Sequence, residues 1–217
     1  MNLIIGNKNY SSWSLRPWLL MDAFNLPFEE TLVSLAEPDL TGRLLQYSNS
    51  ARVPVLVVDG NAIWDSLAIC EYISESLLQG KAWPSKSMQR ALARSVTAEM
   101  HSGFGALRNE MPMNCRASRT IEASAEALEN VRRVDEIWSL YARPDHHGDL
   151  RLFGRFSIAD CFFAPVVMRF LTYGVKLSSK AAAYRDSMRA HPSLEKWCAQ
   201  AAGEAEIVAD DETGVAR

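Results

Sequence analysis

Two periodicities alternate along the first 78 residues. Leu3 to Ile5 is a short apolar run ended by Gly6-Asn7-Lys8-Asn9, which predicts a buried strand. Leu15, Trp18, Leu19 and Ala23 then recur at helical spacing, and Phe28 to Leu35 alternates with period two as a second strand. Val53 to Asp59 and Ala62 to Trp64 are β-rich runs joined by Asp59-Gly60-Asn61, a tight hairpin signal. After Asp65-Ser66, the residues Leu67, Ile69, Cys70, Ile73 and Leu77 return to helical spacing. The order is β-α-β, a polar stretch, then β-β-α. A parallel right-handed crossover followed by an antiparallel hairpin predicts a small mixed sheet of four strands.

Beyond Gly80-Lys81-Ala82-Trp83-Pro84 the β-branched runs stop. Segments 86–111, 118–142, 157–173 and 180–200 are rich in Ala, Leu, Met, Arg and Glu, with Pro112, Pro144 and Pro192 as punctuation, and predict helices. The fold class is therefore α/β plus all-α: a mixed-sheet domain over 1–79, a linker over 80–86 and a helical-bundle domain over 87–217. The tail at Asp210-Asp211-Glu212 reads as solvated and mobile.

Composition narrows the partners. The 217 residues include 23 Lys+Arg and 26 Asp+Glu for a net charge of -3, with no basic run, so no nucleic-acid footprint is expected. Apolar runs such as Leu15 to Leu20 and Cys161 to Met168 fall far short of the roughly 20 residues of a membrane span, so no membrane partner is expected either. The first residues lack the basic head of a signal peptide, which points to the cytoplasm. Cys70, Cys115, Cys161 and Cys198 form no Cys-x-x-Cys pair. His101, His146, His147 and His191 show no ligand spacing, so buried thiols and no metal are expected.

Three segments can carry chemistry. Tyr10-Ser11-Ser12-Trp13-Ser14-Leu15-Arg16-Pro17 lies between the first strand and first helix, where hydroxyls and N–H groups at a helix N-terminus can cap it or stabilise an anion such as a thiolate. Pro54, opening a strand after Arg52-Val53, implies an edge or a cis peptide that turns the main chain of Val53 towards an extended ligand. Asp65-Ser66 stands at the start of another helix, as a cap or a second anion site. Each lies at an end of a predicted strand or helix, where α/β sheets gather ligands.

Taken together, a strand, a Ser-bearing turn and a helix, then Val-Pro-Val-Leu, a hairpin, Asp-Ser, a helix, a linker and an all-helical half resemble a cytosolic glutathione transferase along the whole chain, with the thioredoxin-like domain first. Phe156-Ser157-Ile158-Ala159-Asp160 resembles the family's structural capping box; Ser157 and Asp160 are assigned to folding, with Phe156 as a hydrophobic staple. The resemblance implies glutathione as co-substrate, no metal, a small electrophilic second substrate and a homodimer.

It further implies that Ser11, five positions before Arg16, hydrogen-bonds the glutathione sulfur and stabilises its thiolate, with Ser12 a second candidate, Tyr10 a third and Ser14 capping the helix. It implies a cis Pro54, a Val53 main-chain clamp on the cysteinyl part, Asp65 and Ser66 on the γ-glutamyl end, and Arg52 near the glycyl carboxylate. The second-substrate pocket is expected at Tyr10 and Trp13 and along a helical stripe of Met100, His101, Phe104 and Arg108, although core packing also explains Met100 and Phe104. Asn7 or Asn9 is a further candidate for the cleft wall. Ser-Ser-Trp-Ser resembles the Ser-Ser-Cys-Ser of zeta-type members, which isomerise maleylacetoacetate, but Trp13 stands where they have cysteine. Isomerisation, and a non-catalytic member that binds glutathione or a protein, are the alternatives.

Overall fold

A computed structural model describes residues 1–217. Its first half is built on β1 (Asn2–Ile5), α1 (Ser12–Ala23), β2 (Glu29–Leu32), α2 (Leu40–Leu45), β3 (Val55–Val58), β4 (Asn61–Ile63) and α3 (Ser66–Tyr72), the last continued by a π-helical turn, Ile73–Leu77. The sheet order is β2-β1-β3-β4, with β2 parallel to β1 and the β3–β4 hairpin antiparallel. Strand β1 is apolar on both faces because it is central. Leu3 and Ile5 enter the main core, while Ile4 joins Val33, Leu44 and Val55 in a small cluster on the far face, covered by α2. The polar stretch before β3 thus holds a short helix.

The second half comprises α4 (Ser87–Ser102), α5 (Gly105–Glu110), β5 (Arg119–Thr120), α6 (Ala125–Tyr141), β6 (Ala142–Pro144), β7 (Leu150–Leu152), α7 (Ile158–Thr172), α8 (Ser179–Arg189), α9 (Pro192–Ala202) and β8 (Val215–Ala216). Helix α7 is buried nearly all round, and α1 packs along it, so one apolar core runs through both halves. Its start is a capping box: the Ser157 N–H donates to Asp160 Oδ2 (3.0 Å), while Asp160 Oδ1 accepts from the Leu152 N–H (2.8 Å) and the Tyr184 hydroxyl (3.1 Å). Phe156 reaches across to stack on His191.

Three expectations are corrected. Segment 86–111 is two helices, because Gly103 ends α4 and Phe104 turns into the left-handed region at φ 58° before α5 begins. The helical half also contains two small antiparallel ladders, β5–β8 and β6–β7, with His146 and His147 at the tip of the latter. The tail is anchored to the body. Glu212 accepts from Tyr10 and Asn114 and pairs with Arg119, Thr213 bonds Tyr173, and β8 pairs with β5. No helix is long and apolar enough to cross a membrane.

Candidate active site

Two cavities meet at Trp13. The first, about 310 Å³, is bounded by Trp13, Arg52, Val53, Pro54, Asp65 and Ser66, with His101 on its wall. The Val53–Pro54 peptide is cis, as is Trp64–Asp65. Val53 makes no main-chain hydrogen bond within the protein, leaving its N–H and C=O available to an extended ligand. Asp65 is already employed: its Oδ1 accepts from the N–H groups of Leu67 (3.0 Å) and Ala68 (3.2 Å), and its Oδ2 lies 2.8 Å from His101 Nε2. Ser66 differs. Its hydroxyl is buried and has no protein partner, at the first position of α3, where N–H groups and the helix dipole favour a carboxylate. Arg52 is exposed on the rim.

The second cavity, about 450 Å³, contains Tyr10, Ser11, Ser12, Trp13, Arg108 and Arg169 among its walls. Ser11, not Ser14, is the N-cap of α1. Its oxygen accepts from the Ser14 N–H at 3.4 Å, and its hydroxyl donates to Ser14 Oγ at 2.8 Å. The cap falls there because Ser14 Oγ is taken up inside the turn, accepting from the Gly6 N–H as well. Pro17 consequently sits in the second helical turn. The Ser12 oxygen accepts from Arg169 Nη2 at 3.2 Å, which leaves the Ser12 hydrogen uncommitted. Tyr10 is committed elsewhere. Its hydroxyl donates to Glu212 at 2.6 Å and accepts from Arg116 at 2.9 Å, and burial with the Glu212 bond pushes its pKa up.

The helical stripe is only partly a pocket wall. Arg108 lines the second cavity and His101 the first, whereas Met100 and Phe104 are packed into the core, 1% and 8% exposed. Phe104 stands in the left-handed break between the two helices, so Met100 on α4 and Arg108 on α5 do not share one helical stripe. Asn7 and Asn9 are also buried in structural bonds, to Glu206 and Leu35 and to Asn114 and Arg116. Burial pulls the pKa of His101 down despite Asp65, which places a neutral imidazole beside Trp13 at neutral pH.

Arg169, Asp211 and Met113 were not found by sequence reasoning, although all three line the second cavity. Arg169 lies in the apolar run of α7, and a lone arginine there was the signal available. Larger depressions elsewhere, about 560 and 640 Å³, are lined mostly by polar and charged side chains and hold none of the expected site residues.

Residues 10–76 match the family model for the N-terminal domain of glutathione S-transferases, and residues 91–200 match that for their C-terminal domain. A probable maleylacetoacetate isomerase of Caenorhabditis elegans is 34% identical over 102 residues, 47% of this chain and 47% of that protein, so the match spans about half the length of this curated relative. Among solved structures, a glutathione transferase homologue from Burkholderia with bound glutathione superposes with a TM-score of 0.70, covering 92% of this chain and 97% of its own at 24% identity. A sphingomonad glutathione S-transferase complexed with glutathione gives 0.68, covering 94% and 100% at 19% identity. At such identities the two structures show a shared fold.

Proposed function

The chain belongs to the glutathione S-transferase family, and from that premise we propose that it binds glutathione across the two cavities and directs its thiolate at a small electrophile. The observation that carries this reading is the Ser66 hydroxyl, buried without a partner at a helix N-terminus, in the same cavity as the unpaired main chain of Val53. A γ-glutamyl carboxylate satisfies Ser66 and the first turn of α3, Asp65 takes the amine, the Val53 main chain pairs with the cysteinyl unit, and Arg52 meets the glycyl carboxylate. That path leads the sulfur past Val53, which borders both cavities, towards Ser11 and Ser12.

There the Ser11 hydroxyl turns from Ser14 to the sulfur and Ser12 gives its free hydrogen. Two donors at the positive end of α1, with Arg169 behind Ser12, favour the thiolate over the thiol. The protein forms no covalent intermediate, and rate comes from a lowered thiol pKa and from proximity. Calorimetric titration with glutathione is the test of binding: a measurable heat that weakens about tenfold in Ser66→Ala supports the reading, and no heat with the wild-type protein contradicts it.

A second reading, isomerisation of a maleylacetoacetate-like substrate, is supported by the 34% identity to the nematode protein. There the thiolate adds, a bond rotates, and the thiolate leaves. Trp13 in place of the zeta-type cysteine counts against it. Two-fold self-association and a cytoplasmic setting belong to the same family-based reading.

A further inference from the structure

The second cavity carries positive charge that the fold does not neutralise. Arg169 is 5% exposed, yet its guanidinium meets only neutral oxygens: Nη1 donates to the carbonyls of Arg108 and Met111, and Nη2 to Ser12 Oγ. Arg108 donates to the His101 carbonyl at 3.2 Å and lies over the Trp13 ring at 5.3 Å. Neither forms an ion pair. Arg16 lies against the same Trp13 ring at 4.0 Å, its Nε buried without a partner. Burial first, and then repulsion from Arg108, pulls Arg16 down to about 9 and Arg169 down to about 10.

The nearby carboxylates offset this only in part: Asp65 acts on Arg16 and Asp211 on Arg169, and burial with repulsion between the arginines outweighs both. Asp65 is held by His101 and the start of α3, and Glu212 by Tyr10, Asn114 and Arg119. Only Asp211, brought in by the anchored C-terminal segment, borders the cavity, and it stands outside ion-pair distance of both arginines. A guanidinium taken out of water without a carboxylate costs several kcal/mol, and a planar anion is the group its forked donors match. Much of the remaining wall is apolar, including Trp13, Leu35, Pro112 and Met113.

We propose that the second cavity takes an anionic electrophile, an apolar body ending in a carboxylate or sulfonate, with the anion held by Arg108 and Arg169 and the body against Trp13 and Met113. This rests on the glutathione-transferase reading, which places the thiolate at Ser11 and Ser12 in the same cavity and assigns the carboxylates of glutathione to the other one. Asp211 is the chain's own carboxylate at this end, so it opposes the incoming anion and tempers its affinity.

The test is a pair of fluorescence titrations on the full chain without glutathione, using anilinonaphthalene sulfonate and its uncharged relative N-phenylnaphthylamine. The sulfonate is expected to bind at least about tenfold tighter than the neutral dye. Arg108→Gln should remove most of that difference while leaving the neutral dye unchanged, and Asp211→Asn should tighten the sulfonate alone, by roughly threefold. Arg108 is half-buried, so its replacement keeps the core that Arg169 holds. Equal affinities for the two dyes, or an Arg108→Gln variant that weakens both alike, would overturn the proposal. Calorimetry with glutathione separates the two failures. A protein that binds glutathione but does not discriminate the dyes loses only the anion pocket, whereas one that discriminates the dyes but ignores glutathione keeps an anion site and loses the transferase reading.

Discussion

The guanidinium of Arg169, on the central helix of the helical half, donates to the hydroxyl oxygen of Ser12, at the start of the first helix, across 3.2 Å. The contact joins residues 157 positions apart and brings a buried cation to the sulfur end of the proposed glutathione path. On the proposed function, the helical half would through this contact contribute to thiol activation at Ser12.

Arg169→Lys keeps the charge but loses the fork that serves Ser12 and two carbonyls together. The pKa of bound glutathione thiol should rise by about one unit. Ultraviolet titration of the bound thiolate reads this directly; an unchanged titration would mean that Arg169 only holds the carbonyls of Arg108 and Met111.

Ser66→Ala removes a hydroxyl that no protein group uses. Its melting temperature should stay level or rise slightly, while glutathione affinity falls about tenfold. A protein that loses stability and keeps affinity would show Ser66 to be structural.

Asp160→Asn should cost about 2–4 kcal/mol. Both carboxyl oxygens accept, Oδ2 from Ser157 and Oδ1 from Leu152 and Tyr184, and an amide nitrogen can replace neither without facing a donor. Urea unfolding measures the loss. A change under about 0.5 kcal/mol would remove the capping box from the list of features that hold the helical half together.

His191 supplies an acid limb. Its Nδ1 accepts from the Ser193 N–H at 3.2 Å, and burial, with Arg151 next, pulls its pKa down to about 4. Between that value and the unfolded value of about 6.5 the unfolded chain binds the extra proton, so stability falls as pH drops through this window, by about 2 kcal/mol for a half-buried group. Asp160, raised by burial to about 7, titrates in the opposite sense. The His191 contribution is therefore isolated as the difference between wild type and His191→Asn, which keeps the cap acceptor. Urea midpoints measured from about pH 4 to 7 should diverge only on the acid side; parallel curves would refute the assignment.

Much of this was legible in the sequence where the determinants are local. The strand run of Leu3 to Ile5, the Asp59-Gly60-Asn61 hairpin, the proline after Val53 and Asp65-Ser66 before a helix each state their geometry within a few residues. What escaped depends on distant pairing. Nothing near Glu212 reveals that it bonds Tyr10, 202 positions away, so the tail read as mobile. Met100 and Phe104 fit a pocket stripe only on an unbroken helix, and Gly103 with the left-handed Phe104 breaks it. The different partners of Ser11 and Ser12 turn on Arg169 arriving from the other half of the chain to bond Ser12, which no local pattern announces.

Thiol activation at Ser11 and Ser12 is the centre of the account, and the ultraviolet titration of glutathione bound to wild type, Ser11→Ala and Ser12→Ala tests it most directly. The wild-type complex should show a thiolate band at neutral pH, and each variant should shift its midpoint upwards by about one unit or more. Both should also lose about 1 kcal/mol of stability, Ser11→Ala because Ser11 caps α1 and Ser12→Ala because it leaves a buried Arg169 N–H without its acceptor. A wild-type titration indistinguishable from that of free glutathione, unmoved by either substitution, would contradict the account.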